Sequence, residues 1–179
     1  VAKLLASYPQ LLILDLEGQL RPRHRWLISN LGLQTKDARR IVKIAPQVLH
    51  ASEKETLRPA RDWLARTIGG DGGETSVGGI VTRSPELLLT CPDDMEICLV
   101  NLSEVLFEGD RQQASALFER QPALLLRSGR LEPLVTFMVL EMKASLPQAR
   151  EAIVNGLTML EFDMNGRVFP AWMPYGRRG

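Results

Sequence analysis

The chain has 179 residues, 45% of them hydrophobic, enough to bury a sizeable core and to form one domain spanning residues 1–179. Its formal net charge is +1, so nothing in the overall balance announces a polyanion partner, and two cysteines, Cys91 and Cys98, argue against a disulfide framework and for a reducing compartment. No apolar run approaches the roughly 18 residues that a membrane-crossing helix requires, and the opening at Val1, without a signal-like stretch, reads as a mature form or a fragment.

One phrase recurs along the chain: Tyr8-Pro9-Gln10-Leu11-Leu12, Ala45-Pro46-Gln47-Val48-Leu49, Ser84-Pro85-Glu86-Leu87-Leu88 and Gln121-Pro122-Ala123-Leu124-Leu125. The prolines stand 37, 39 and 37 residues apart, a fixed period of the kind that marks repeat architectures. Each period reads as a short helix ended by the proline, a tight turn carrying the Leu-Leu pair, and a longer helix with a second proline in its first turn.

The first repeat (1–33) pairs Leu4 and Leu5 before Pro9, then carries Pro22, Trp26 and Leu31 on the long helix, with Gly32 as its stop. In the second (34–69), Thr35 or Asp37 starts a helix carrying Ile41 and Val42. Ser52 with Glu55 then caps a long helix containing Pro59, Trp63 and Ile68, and Gly69 closes it. Between Gly69 and Gly79 lie six glycines. A phosphate-cradling loop would need Gly-Lys-Ser/Thr next, which is missing, so the expectation is a flexible inter-repeat loop. The third repeat (74–108) has Ile80 and Val81, then Cys98 at the second proline position, then Leu102 and Phe107. The fourth (110–143) opens on Asp110 with Gln113 and carries Leu117, Phe118, Pro133, Phe137 and Met142. A worn fifth (145–179) starts at Ser145 with Gln148. It keeps Ile153 and Val154, has Thr158 where the proline belongs, and echoes Gly129-Arg130-Leu131-Glu132-Pro133 with Gly166-Arg167-Val168-Phe169-Pro170.

Strand alternation is poor throughout, so the predicted fold is all-α: a right-curving α-solenoid of about five helix–turn–helix repeats, each stacking on the next because no helix pair covers its own apolar stripe. Trp26, Trp63, Leu102 and Phe137 then read as core positions, one per layer, in preference to an exposed platform for stacking nucleobases. Such stacks present a concave surface, where a binding function would reside.

The small net charge conceals polarity. Residues 1–50 carry eight Lys/Arg against three Asp/Glu, whereas residues 81–110 carry one basic side chain against seven acidic ones. Arg21 and Arg58 each precede a second proline and should lie one above the other in adjacent layers, as should His24 and Arg61. Arg21 and Arg25 share a helix face, and Arg39, Arg40 and Lys43 cluster on the intervening short helix. Together they suggest a phosphate-contacting stripe that ends at the third repeat, the fourth having Glu132 in the register of Arg21 and Arg58. Composition alone favours the plainer alternative of a solvated face with partners such as Glu17, Glu55 and Asp62. The acidic third repeat reads as a soluble face or a dock for a basic protein.

Catalysis finds little support. His24 and His50 have no Cys or carboxylate cluster at metal-ligand spacing, and Cys91 and Cys98 lack two further zinc ligands. No nucleophile has a paired base, so neither an enzyme, nor a cofactor, nor a small-molecule substrate is expected.

The Pro-x-Leu-Leu phrase, then Leu-Arg-Pro, a Trp-Leu or Phe-Met core pair and Leu-Gly-Leu resemble the mitochondrial transcription termination factor (mTERF) family. The stretches that carry this are Tyr8 through Leu31-Gly32-Leu33 and Ala45-Pro46 through Leu57-Arg58-Pro59 to Ile68-Gly69. The resemblance implies a half-doughnut superhelix with short 3₁₀ turns, an organellar location (mitochondrion favoured over chloroplast), and binding of DNA or RNA through a basic groove. Carried onto this chain, that groove comprises Arg21, Arg23, Arg25, Arg39, Arg40, Lys43, Arg58 and Arg61. So short and weakly basic an array suits RNA, ribosomal RNA in particular, better than duplex DNA. The alternative is a non-catalytic scaffold in an organellar ribosome-like particle, held by contacts with ribosomal proteins.

Overall fold

The structure, a computed structural model, describes residues 8–68 and 76–155. Every regular element among them is helical. They include eight α-helices: α1 (Arg21–Leu31), α2 (Thr35–Ile44), α3 (Arg58–Ile68), α4 (Val77–Arg83), α5 (Pro92–Phe107), α6 (Arg111–Arg120), α7 (Leu131–Leu140) and α8 (Leu146–Asn155).

The recurrent proline sets the same backbone break in each copy. Its predecessor is biased out of helical geometry by the ring. Tyr8, Ala45, Ser84 and Gln121 accordingly adopt φ −144, −126, −138 and −139 with ψ between 74 and 78. A 3₁₀ turn follows each time, at Pro9–Ile13, Pro46–Leu49, Pro85–Leu89 and Pro122–Arg130, and buries Leu11, Leu49, Leu88 and Leu125.

The second proline behaves differently from the sequence expectation. The α-helical part does begin one residue before it, at Arg21 and Arg58, but each of these helices continues an earlier five-residue π-turn, Leu16–Leu20 and Glu53–Leu57. Pro22 and Pro59 therefore lie well inside a longer helical rod. Lacking an N–H, each ring leaves the carbonyl four residues back without its α-helical donor and crowds it, so the preceding turn widens to i→i+5 bonds. The bonds observed are Leu20 N–H to the Asp15 carbonyl and Leu57 N–H to the Ser52 carbonyl, both 3.0 Å. Where Cys98 replaces the proline, α5 runs as 16 uninterrupted α-helical residues from Pro92.

The capping pairs form. Ser52 Oγ accepts from Glu55 N–H at 3.3 Å, Asp110 Oδ1 from Gln113 N–H at 3.1 Å, and Ser145 and Gln148 bond reciprocally. Thr35, one of the two expected starts, is the first residue of α2, and Gln34 precedes it without a side-chain cap bond. Gly32 stops α1 in the left-handed region at φ 62. The matching residues in the third and fourth layers are Glu108 (φ 55) and Lys143 (φ 57), which adopt that conformation without being glycine. Gly69 lies outside the described residues.

One hydrophobic cluster runs from Trp26 to Ile153. Trp26, Trp63 and Leu102 are buried as expected, and Trp63 meets Phe118 edge-on at 6.1 Å between ring centroids, while Phe137 is only half-buried. The glycine-rich stretch is a loop at most in part. Gly78 and Gly79 belong to α4, capped by Ser76 Oγ, and Gly78 is buried where a Cβ would meet the Leu31 carbonyl oxygen at 2.3 Å. This glycine lets α4 approach the end of α1. Leu4, Leu5, Thr158 and the Gly166–Pro170 echo lie outside the described residues.

Candidate nucleic-acid interface

The eight basic residues singled out above fall into two groups. Four are engaged within the chain. Arg21 pairs with Glu17 at 2.7 Å, and Arg58 pairs with Glu53 at 2.6 Å. These are neighbours on the same helical rod, placed one turn earlier by the π-turns. Arg23 Nη1 donates to the Leu49 carbonyl at 2.6 Å, tying the first layer to the second. Arg61 bonds Asp62 and also donates to Asn30 Oδ1 at 3.1 Å, again between layers. Exposed pairs such as Arg21–Glu17 contribute little to stability, about 0–1 kcal/mol. Each glutamate nonetheless offsets the charge of the arginine it pairs with.

The other four, Arg25, Arg39, Arg40 and Lys43, are exposed and have no side-chain partner among the described residues. Three of them lie on α2. That helix buries Ala38 and Ile41 completely and turns Lys36, Arg39, Arg40 and Lys43 to solvent. Spacings of three, four and seven put these four cations on one face, over about 10 Å of helix axis at 1.5 Å per residue. Asp37 is the sole acid on the helix, in its first turn. Lys36 was not among the expected site residues, since it has no counterpart in the register of the prolines. Its signal was the same i, i+3, i+4, i+7 spacing that the neighbouring cations show.

The basic face does not continue upward. At the positions of Arg39, Arg40 and Lys43, α4 has Gly78, Gly79 and Thr82, and α6 has Ser115, Ala116 and Glu119. Glu132, in register with Arg21 and Arg58, lines a groove on α7 with Pro133, Thr136, Phe137, Leu140 and Glu141. In the third layer, Glu96 is a structural acid. Its Oε2 accepts from Trp63 Nε1–H at 3.0 Å and from Arg111 Nη2 at 2.8 Å, joining α3, α5 and α6. The Arg111 hydrogen bonds hold its carboxyl below the usual carboxylate value, aided by the Trp63 bond and opposed by burial. The same contact raises Arg111.

Among the described residues, no three His, Cys, Asp or Glu side chains gather as a metal site, and no helix is long and apolar enough to cross a membrane. Among the described residues, what remains is a series of helical repeats in which the exposed cations of α2 have no ion-pair partner. The mTERF family model matches residues 1–171, and the chain belongs to the mTERF family. That family is one of organellar helical-repeat proteins that bind nucleic acid and are generally non-catalytic. No individual curated protein matches the chain.

Proposed function

We propose that the chain binds a nucleic-acid backbone through the outer face of α2, with Lys36, Arg39, Arg40 and Lys43 as phosphate contacts and the exposed Arg25 of α1 as a further one, in organelle gene expression. The observation that carries this is that, among the described residues, four cations on one face have no side-chain partner, beside arginines elsewhere that do have them. RNA is the favoured ligand and the mitochondrion the favoured compartment. A patch about 10 Å long spans only two or three phosphates of a strand, which suits a local RNA segment and is short for a duplex that must be gripped along a groove.

The test is binding of the purified chain to single-stranded RNA, double-stranded RNA and duplex DNA across a salt series. Each phosphate neutralised on a single strand adds about 0.7 to the slope of log affinity against log salt, so four contacts predict a slope near 3. Replacing Lys36, Arg39, Arg40 and Lys43 by Ala should remove most of that slope, while Arg21→Ala with Arg58→Ala should remove less. An unchanged slope in the fourfold variant refutes the α2 face. Absence of binding at every salt concentration leaves the scaffold reading, held by protein contacts.

A further inference from the structure

We propose that the outward face of α5 docks a basic amphipathic helix of a partner protein. On this face Asp93, Ile97, Val100 and Glu104 follow one another at four, three and four residues. They form a single stripe opposite the buried Met95, Leu99, Leu102 and Leu106. Ile97 is 67% exposed and Val100 39%. Scattered apolar side chains on a surface are ordinary, but these two are adjacent on one face and closed at both ends by carboxylates, with Asp94 on the flank. Among the described residues none of Asp93, Asp94 and Glu104 has an ion-pair partner.

Register sharpens the contrast. The position of Ile97 is held by Arg21 in the first layer and Arg58 in the second, each carrying its own glutamate. The position of Val100 is held by His24 and Arg61. The same surface of the stacked long helices thus changes from paired arginines to exposed aliphatics framed by unpaired acids. An occupant complementary to it presents aliphatic side chains along its centre and Lys or Arg on its edges. The stripe from Asp93 to Glu104 is about 16 Å long, the length of three helical turns. An apolar seam between such helices supplies affinity, and the flanking charges fix orientation and partner choice. This face is separate from α2 and does not depend on the nucleic-acid reading.

The experiment uses the full chain and a fluorescein-labelled helical peptide of about 18 residues, with Leu at one face and Lys at its edges. A scrambled peptide of identical composition is the control, and fluorescence anisotropy is the readout. Saturable binding is expected, weakened about tenfold or more by scrambling, by Ile97→Arg, and by Asp93→Asn with Glu104→Gln. Ile97→Arg places at this position the residue type that the first two layers already carry, so its helical circular dichroism and RNA affinity should match the parent. Absence of saturable binding overturns the proposal, as does equal binding of the scrambled peptide or unchanged binding by Ile97→Arg. Concentration-dependent association of the chain alone, abolished by Ile97→Arg, would instead assign the face to a second copy and likewise overturn it.

Discussion

Trp26 and Trp63 occupy the same place in successive layers and are equally buried, at 5% exposure, yet their indole N–H groups fare differently. Trp63 Nε1–H reaches Glu96, two residues before Cys98 in the next layer. The corresponding residue above Trp26 is Leu57, fully buried and apolar, and the Trp26 Nε1 is buried with no hydrogen-bond partner among the described residues. Trp→Phe at either site removes the same ring atoms from similar burial, so the packing losses nearly cancel in a comparison. What differs is the N–H. Trp63→Phe loses a hydrogen bond to a charged acceptor, about 1–2 kcal/mol, at the low end because Glu96 keeps Arg111 and solvent. Trp26→Phe removes an orphaned donor whose burial costs about 1–3 kcal/mol. Trp63→Phe should therefore be the more destabilising of the two by about 3 kcal/mol. At a urea slope of about 2 kcal/mol/M that separates the unfolding midpoints by about 1.5 M. Urea unfolding followed by helical circular dichroism, which does not rely on tryptophan fluorescence, measures it. Coincident midpoints, or a larger loss at Trp26, would refute the reasoning.

Other residues make equally direct tests. Lys143 adopts φ 57 where the first layer has Gly32, so Lys143→Gly should raise stability by about 1 kcal/mol and Gly32→Lys should lower it similarly, read as opposite shifts in urea midpoint. Gly78→Ala drives a methyl against the Leu31 carbonyl oxygen and should cost about 1–3 kcal/mol, seen as a lower thermal midpoint. Cys98→Pro removes a donor from the middle of α5 and should cost about 3 kcal/mol unless α5 adopts the π-turn of its neighbours, which hydrogen exchange at the 92–97 amides would reveal. The Glu96 carboxyl is depressed from its ordinary 4.5 in the folded chain. Its contribution is therefore fully present above that value and is lost as pH falls through the lower folded value. Stability should decline on acidification through that window, and Glu96→Gln should flatten the decline; an identical pH profile for parent and variant contradicts the assignment.

Proline positions, apolar pairs and capping residues were legible in the sequence because they act locally. Pro46, Pro85 and Pro122 end helices through their own ring sterics, and Ser52, Asp110 and Ser145 cap through bonds three residues long. Ile41, Ile80, Leu117 and Ile153 declare the buried face by period alone. The all-α repeat fold follows from these without reference to anything distant. Tertiary structure decided what depends on neighbours. Whether Arg23 or Arg39 stays free turns on where packing places the Leu49 carbonyl and on which side of α2 meets the core. Gly78 looked like loop until α1 was packed against it. The acids of the third layer divide in the same way: Glu96 lies where Trp63 and Arg111 converge from other helices, while Asp93 and Glu104 face outward on the same helix. A pattern in one strand of sequence records period and sterics, but a charge acquires its role only from the side chains that packing brings to it.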